Sequence, residues 1–267
     1  MKLTMLGTGN AQAVQCYNTC FLLEENDRRL LVDGGGGNGI LLQLDRSGLA
    51  ITDLHEIFVT HKHIDHILGI VWIMRMLATA INKGEYEGSA VIYAHDEVIG
   101  ILKSLASSLL QEKQARHIGG RIQLVTLCDG EEFSLIGHRA QAFDIHSSKA
   151  RQFGFCLHYG AGQRFCCCGD EPYNECERQY AQDSDWLLHE AFCLSSQADI
   201  FKPYEKHHST VKDACQIAEQ LRVKHLILYH TEDKNLSCRR ALYSAEGKEY
   251  FSGRLFIPDD LESIDIL

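Results

Sequence analysis

The sequence contains a run of six residues in which four side chains can bind a metal ion. His61, His63, Asp65 and His66 follow an apolar segment that ends at Thr60. Residues two apart in extended backbone point the same way, so His61 and His63 present their rings to one side. Three imidazoles and a carboxylate suit a borderline cation such as zinc. The alternative, a cluster of solvated surface histidines, does not account for the strand–loop–helix setting.

Three more polar residues follow apolar segments elsewhere in the chain. His146 ends the segment 143–146, Asp170 follows a run of three cysteines and one glycine, and His230 ends the segment 226–230. Ligand sites in open sheets lie beyond the carboxyl ends of the strands. Each residue alone is better explained as a structural polar group, but together they predict the remaining ligands of a metal site.

Hydrophobic periodicity and turn residues predict the elements that would position these groups. Helices are predicted at residues 66–80, with Asp65 as the N-cap, and at 96–110, 174–181 and 211–221. Strands are predicted at residues 2–7, 19–23, 30–32, 55–60, 90–94, 123–127, 132–136, 139–145, 154–158, 164–168, 186–189 and 225–229, with a short strand pair near Leu255 and Ile264. Many strands with interspersed helices fit two packed sheets flanked by helices.

Composition narrows the class of protein. The 267 residues include 26 Lys and Arg against 36 Asp and Glu, a net charge of −10, which disfavours a broad nucleic-acid-binding face and DNA as a partner. Eleven cysteines without a Cys-x-x-Cys pair predict no disulfide framework and no cysteine zinc site, and favour a reducing, cytoplasmic setting. No linker divides the chain, so residues 1–267 are expected to form one domain. No stretch has the length and composition expected of a signal peptide or a membrane span.

The order of these motifs resembles that of the metallo-β-lactamase superfamily. The pattern His-x-His-x-Asp-His is followed by a histidine, by Gly-Asp and by a histidine that ends a strand. The resemblance runs from Leu6 to about His230 and implies an α/β fold, the four-layer αββα sandwich. Three further stretches are similar to the ribonuclease Z-like branch: Phe153-Gly154-Phe155, Leu188-His189-Glu190-Ala191 and His208-Ser209-Thr210.

The resemblance also implies a ligand set for two divalent metal ions. Zinc is favoured by the histidine-rich set, while manganese, iron and cobalt also fit. Asp170 would bridge the two ions. One ion would be held by His61, His63 and His146, and the other by Asp65, His66 and His230.

Catalytic roles follow from the same resemblance. His208 would give a proton to the leaving oxygen, Glu190 would orient His208, and Asp65 would align the attacking hydroxide. His207 competes with His208 for the acid role, and a helix-capping segment without chemistry is the bland alternative for residues 208–210. Asp33 would orient the metal-binding loop.

The substrate is left open between several classes. The leading hypothesis is a phosphodiesterase that acts on RNA ends or on a small phosphodiester such as a cyclic nucleotide. Only 23 residues separate His146 from Asp170, too few for the arm that grips transfer RNA in long-arm ribonuclease Z, and residues 231–234 are acidic where RNA phosphates would approach. A hydrolase of thioesters, lactones or sulfate esters is the alternative, and a non-catalytic metal-bound sensor is a third. The resemblance suggests a homodimer.

Overall fold

The computed structural model describes residues 1–266 and contains two seven-stranded sheets. Leu267, the last residue of the predicted domain, lies outside the described residues. In chain order the strands are β1 Lys2–Gly7, β2 Cys20–Glu25, β3 Arg28–Val32, β4 Glu56–Phe58, β5 Ala90–Ala94, β6 Ile122–Thr126, β7 Glu132–Leu135, β8 His138–Asp144, β9 Phe153–Tyr159, β10 Gln163–Cys167, β11 Trp186–Glu190, β12 His225–Tyr229, β13 Arg254–Phe256 and β14 Ser263–Asp265.

Each sheet combines one half of the chain with a strand from residues 254–265. The first sheet has the order β14-β1-β2-β3-β4-β5-β6, and the second has the order β13-β12-β11-β10-β9-β8-β7. The predicted strand pair near Leu255 and Ile264 is therefore wrong, because β13 pairs with β12 and β14 pairs with β1. Two neighbouring short strands reach different sheets since each completes the edge of a sheet built by earlier residues.

The helices cover the outer faces of the two sheets. They are α1 Gly39–Ser47, α2 Ile64–Lys83, α3 Asp96–Leu109, α4 Glu112–Ala115, α5 Arg178–Ala181, α6 Ala198–Phe201, α7 Val211–Gln220 and α8 Arg239–Gly247. Neither α1 nor α8 was predicted from the sequence. Short 3₁₀ turns lie at Ile51–Asp53, Glu175–Glu177, Ser195–Gln197 and Tyr204–Lys206.

Alternating side chains divide the core into layers. In β2, Phe21 and Leu23 face the core between the sheets, while Cys20 and Leu22 face the core beneath α1, α2 and α3. A third core lies between the second sheet and helices α5, α7 and α8. Successive side chains of a strand point to opposite faces of the sheet, so a sheet whose side chains are buried on both faces must be covered on both sides. The predicted four-layer αββα sandwich is confirmed.

Helix α2 carries part of the predicted metal motif. His63 is its N-cap residue and Gly84, at φ 74°, ends it. Asp65 lies in the first turn, so its prediction as the N-cap is wrong, although a carboxylate there still suits the helix dipole. The helix is long and apolar enough to span a membrane by composition, but 67% of its most apolar window is buried inside the protein. It is therefore a helix of the protein core, and it extends beyond the predicted residues 66–80 at both ends.

Two glycines allow α2 to pack directly on the loop after β3. A Cβ atom on Gly69 would lie 1.7 Å from the carbonyl oxygen of Gly34. The Gly34 N–H donates to the carbonyl of His66 at 2.8 Å, and the Gly69 N–H donates to that of Gly35 at 2.9 Å. This close approach fixes the first turn of α2, and with it Asp65 and His66, against the first sheet.

The two sheets meet along the edge where the predicted ligands lie. Residues Thr60–Ile64 follow β4, Asp170 follows β10, Glu190 ends β11 and His230 follows β12. Backbone hydrogen bonds cross between the sheets at this edge: Phe153 donates to Thr60 at 3.0 Å, and Thr231 donates to Thr8 at 2.9 Å. The site is thus built on strand ends that are tied to both sheets.

Candidate metal centre and active site

The carboxylate of Asp170 lies at the centre of the site. Its Oδ2 atom is 3.7 Å from His61 Nε2, 3.3 Å from His66 Nε2 and 3.2 Å from His230 Nε2. Asp65 Oδ2 lies 3.4 Å from Nε2 of both His66 and His230. All five side chains are buried. We call His61, Asp65, His66, Asp170 and His230 the metal cluster.

The spacing in the metal cluster fits coordination of a metal ion. Two ligand atoms about 2.1 Å from a tetrahedral zinc ion lie about 3.4 Å apart. The separations from Asp170 Oδ2, 3.2–3.7 Å, bracket that value. Among the described residues, His66 Nε2 is buried without a hydrogen-bond partner. Imidazole and carboxylate donors suit zinc, manganese and iron, so the residues fit a divalent metal ion.

Electrostatics at the metal cluster follow from burial and mutual attraction. Burial alone would raise the pKa of Asp65 and Asp170, but the neighbouring imidazoles hold both pKa values well below the usual range. Burial would lower the pKa of His66, yet Asp65 and Asp33 raise it well above its usual value. Burial also lowers the pKa of His61, which favours the neutral ring that a metal ligand requires. Two ionised carboxylates therefore offer a net negative site for a cation.

The two remaining predicted ligands, His63 and His146, have different surroundings. Nδ1 of the half-buried His63 lies 2.8 Å from His61 Nε2, at the edge of the metal cluster. His146 is exposed and left-handed at φ 56°, and its backbone N–H donates to Asp144 at 2.8 Å. Within residues 1–266, His146 belongs to none of the side-chain groups spaced for a metal ion. The predicted role of His146 as a metal ligand therefore stays a prediction.

Asp33 holds the metal-binding loop from beneath. Its Oδ1 accepts the backbone N–H of Thr60 at 2.8 Å, and its Oδ2 accepts the Thr60 hydroxyl at 2.7 Å. Oδ2 also lies 2.7 Å from His66 Nδ1. A carboxylate on the far nitrogen of a ligand histidine fixes the ring and its tautomer, leaving Nε2 toward the metal. This contact agrees with the orienting role implied for Asp33.

His230 sits on a strained loop that distant residues support. Its φ is 58°, a left-handed value rare for a residue with a side chain. The next residue, Thr231, binds the buried guanidinium of Arg239 through its hydroxyl at 2.6 Å. Arg239 also donates to Thr8 at 3.0 Å and to the carbonyl of Pro258 at 2.7 Å. The carboxylate of Asp260 accepts the Thr8 and Tyr17 backbone N–H groups at 3.0 and 2.6 Å.

The acidic segment after His230 is not an exposed anionic surface. Glu232 and Asp233 are only 3% and 4% exposed. Asp233 accepts the backbone N–H groups of Val14 and Gln15 at 2.7 and 2.9 Å, while Glu232 binds Asn235. The segment is acidic, as the sequence indicates, but both carboxylates are buried and hydrogen-bonded to other parts of the chain instead of facing solvent.

His208 lies beside the metal cluster and is backed by Glu190. Nδ1 of His208 lies 3.5 Å from Glu190 Oε2, and Glu190 Oε1 accepts the backbone N–H of Ser209. The His208 ring stacks on Phe192 at 5.0 Å and 3°, and lies 5.0 Å from the His230 ring. His207 is exposed and faces Ser148 at 2.9 Å. Of the two histidines, His208 has the position required of a proton donor.

A cavity of about 460 Å³ opens over the metal cluster. Asp65, His208 and His230 line it, together with two lysines, Lys62 and Lys149. A second cavity of about 240 Å³ adjoins it on the other side of His208 and His230. The site therefore combines a buried anionic metal centre with cationic groups at its mouth, an arrangement that can receive an anionic ester next to a metal ion.

Residues 1–251 match the family described as anti-Pycsar protein Apyc1. The chain belongs to the anti-Pycsar protein Apyc1 family. This family was not named by the sequence analysis, which reached only the superfamily and a branch of it.

Relatives of known fold agree with this placement. Ribonuclease Z of Rippkaea orientalis is 26% identical over 86% of this chain and 85% of its own. YhfI of Bacillus subtilis, a metallo-β-lactamase fold protein, has a TM-score of 0.79 at 17% identity over 98% of both chains. Human tRNase Z, short form, has a TM-score of 0.77 at 21% identity over 100% of both. The predicted superfamily and ribonuclease Z-like branch are confirmed, as is the class of metal-dependent phosphodiesterases.

The contacts of three residues near the site were not predicted from the sequence. Gln152 hydrogen-bonds Asp170, and Thr60 bonds Asp33, yet neither carries a motif that marks it. Lys149 lines the cavity, and no motif marks it either. The one available signal was proximity in sequence, since Lys149 and Gln152 lie shortly after His146.

Proposed function

We propose that this protein hydrolyses a small phosphodiester of about one nucleotide, such as a cyclic nucleotide, with two divalent metal ions. The metal cluster and His63 would hold the ions. Bound there, they would supply a nucleophilic oxygen at neutral pH and Lewis-acid stabilisation of the phosphoryl oxygens. The predicted homodimer, the cytoplasmic setting and the absence of membrane and DNA partners stay predictions.

The chain's own side chains supply the rest of the chemistry. His208 lines the cavity, where it would donate a proton to the departing ester oxygen. Glu190 Oε2 lies 3.5 Å from the other ring nitrogen of His208, Nδ1, and would stabilise the ring while it is protonated. Lys149 faces the same cavity and can contact a non-bridging phosphate oxygen.

The size of the cavity and the loop contacts at its rim support a small substrate. Its volume, about 460 Å³, falls in the range of small-molecule sites, roughly 300–1,000 Å³. Two loops meet across its rim: Lys149 Nζ donates to the carbonyl of Lys206 at 3.0 Å, and Ser148 Oγ lies 2.9 Å from His207 Nδ1. A polynucleotide requires instead a cationic groove that continues along the backbone. The net charge of −10 offers little electrostatic attraction to such a polymer.

An RNA end is the second candidate, because curated relatives carry the name ribonuclease Z. The test uses protein of measured metal content and three kinds of substrate: cyclic nucleotides (3′,5′ and 2′,3′), bis(p-nitrophenyl) phosphate, and a transfer RNA precursor with a 3′ trailer. We expect turnover of a cyclic nucleotide and of the aryl diester, without removal of the trailer. Trailer removal in preference to cyclic nucleotide hydrolysis would overturn the proposal in favour of RNA. An Asp170→Asn protein prepared identically controls for contaminating nucleases.

Lys149 provides a prediction about substrate binding. In Lys149→Met we expect KM for the diester to rise about tenfold with little change in kcat, because a charged hydrogen bond to phosphate contributes about 1.5–3 kcal/mol, partly offset by the existing contacts of Lys149. Steady-state kinetics measure both constants. Lys103→Met, at an exposed residue of α3, is the matched control and should leave KM unchanged. An unchanged KM in Lys149→Met would remove Lys149 from the binding site.

A further inference from the structure

Gln152 makes an unusual pair of contacts with Asp170. Its side chain is fully buried and lies immediately before β9. Gln152 Nε2 donates to Asp170 Oδ1 at 2.6 Å, and Gln152 Oε1 accepts the backbone N–H of Asp170 at 2.6 Å. Both polar atoms of the Gln152 side-chain amide therefore form hydrogen bonds with Asp170.

This pairing determines which oxygen of Asp170 faces the metal cluster. Oδ1 is occupied by the Gln152 amide, while Oδ2 points at His61, His66 and His230. A carboxylate free to rotate could offer either oxygen, or chelate one ion with both. With Oδ1 engaged by Gln152, Oδ2 is the oxygen that would bind metal.

We propose that Gln152 is a positioning residue that presents a single oxygen of Asp170, Oδ2, to the metal cluster. The inference rests on the proposed function only in requiring that the metal cluster binds metal. Gln152 itself touches neither metal nor substrate. It acts by fixing the orientation of the carboxylate before the ions arrive, so that less ordering is needed on binding.

The surroundings of Gln152 are built to hold the amide in place. Its backbone forms an antiparallel bridge with His61, and its carbonyl accepts the N–H of Ile145 at 3.1 Å. Gly169 has φ 73°, and a Cβ atom there would lie 1.9 Å from Gln152 Oε1. The glycine before Asp170 is therefore required for the amide to fit. Gln152 thus joins the backbone of one metal ligand to the side chain of another.

Two substitutions separate the hydrogen bond from the volume of the side chain. Gln152→Met keeps the length and removes donor and acceptor. Gln152→Glu keeps the shape but replaces the donor by an oxygen that repels Asp170 Oδ1. Gln141→Met, on neighbouring β8, removes a glutamine hydrogen bond to the Gly130 carbonyl and serves as the matched control.

The experiment measures metal binding directly, by titrating metal-stripped protein with zinc against a chromophoric chelator and by recording the absorption spectrum of the cobalt-loaded protein. We expect zinc affinity to fall about 10–100-fold in both Gln152 variants, with an altered cobalt spectrum, and to stay unchanged in Gln141→Met. Circular dichroism checks that each variant is folded. If Gln152→Met does not fold, the zinc affinity and cobalt spectrum of Gln152→Glu decide the test.

Wild-type affinity and spectrum in a folded Gln152 variant would overturn the inference. Loss of folding in both variants would also overturn it, since Gln152 would then serve the fold as a whole. If wild-type protein binds two ions and the Gln152 variants lose affinity, while no phosphodiester is hydrolysed, the inference stands and the proposed function fails. If wild-type protein binds no ion, both fail together.

Discussion

Replacing His208 by alanine is expected to lower kcat for a nucleotide diester by about 10²–10⁴-fold, with metal content unchanged. The leaving group of such an ester is a sugar hydroxyl, which departs poorly as an alkoxide and needs a proton. His208 is the buried histidine at the cavity that Glu190 supports at 3.5 Å. Steady-state kinetics and metal analysis of the purified variant measure the two quantities.

The leaving group supplies an internal control for this prediction. A nitrophenolate departs without a proton, so hydrolysis of bis(p-nitrophenyl) phosphate should suffer much less in His208→Ala than hydrolysis of the nucleotide. His207→Ala is the matched variant, because His207 is the exposed neighbour that contacts Ser148 outside the metal cluster. Equal losses on both substrates would contradict the acid role of His208 and point to a role in binding.

Replacing Glu177 by glutamine is expected to flatten the dependence of stability on pH. Glu177 is fully buried beside Cys168, with one oxygen accepting the Asn174 N–H at 2.7 Å. Burial raises the pKa of Glu177 from 4.5 to about 8. The folded protein therefore keeps this proton between about pH 4.5 and pH 8, whereas the unfolded chain releases it. The contribution of protonated Glu177 to the free energy of unfolding is fully present below pH 4.5 and is lost as the pH rises to 8.

The size of this effect is about 5 kcal/mol between pH 4.5 and pH 8, since each pKa unit corresponds to about 1.4 kcal/mol. Urea unfolding of both proteins at several values from pH 5 to 8, at equal metal content, measures it as a difference in slope. Glu175→Gln is the control: Glu175 is exposed in the same turn and should leave the slope unchanged. A wild-type slope in Glu177→Gln would show that Glu177 is ionised in the folded protein.

The sequence predicted those parts of the site whose chemistry is local. Six consecutive residues, His61–His66 by number, hold most of the ligands, and their side-chain types alone indicate a metal. Strands such as β2 were predictable because alternate residues face two different cores. Asp170 and His230 were found because polar residues that end buried strands are few.

The parts that could not be predicted depend on long-range partners. Gln152 and Arg239 are ordinary polar residues in sequence, and only the fold places them on Asp170 and on Thr231. Glu232 and Asp233 suggested an acidic surface because their burial depends on N–H groups of distant residues such as Val14. The helix α8 has a weak apolar pattern, since its buried residues include a charged one, Arg239.

The contacts of residues 260–266 with the first residues of the chain bear on how the protein is made. The strand β14 pairs with β1, and Asp260 holds Thr8 and Tyr17. Such contacts close loops of about the whole chain, which slows folding because the entropy of loop closure precedes the gain from the contacts. During synthesis, one edge of β1 stays without its partner until residues 263–265 have left the ribosome. The loop that carries His230 therefore acquires its full support late, and we expect metal loading to follow synthesis rather than accompany it.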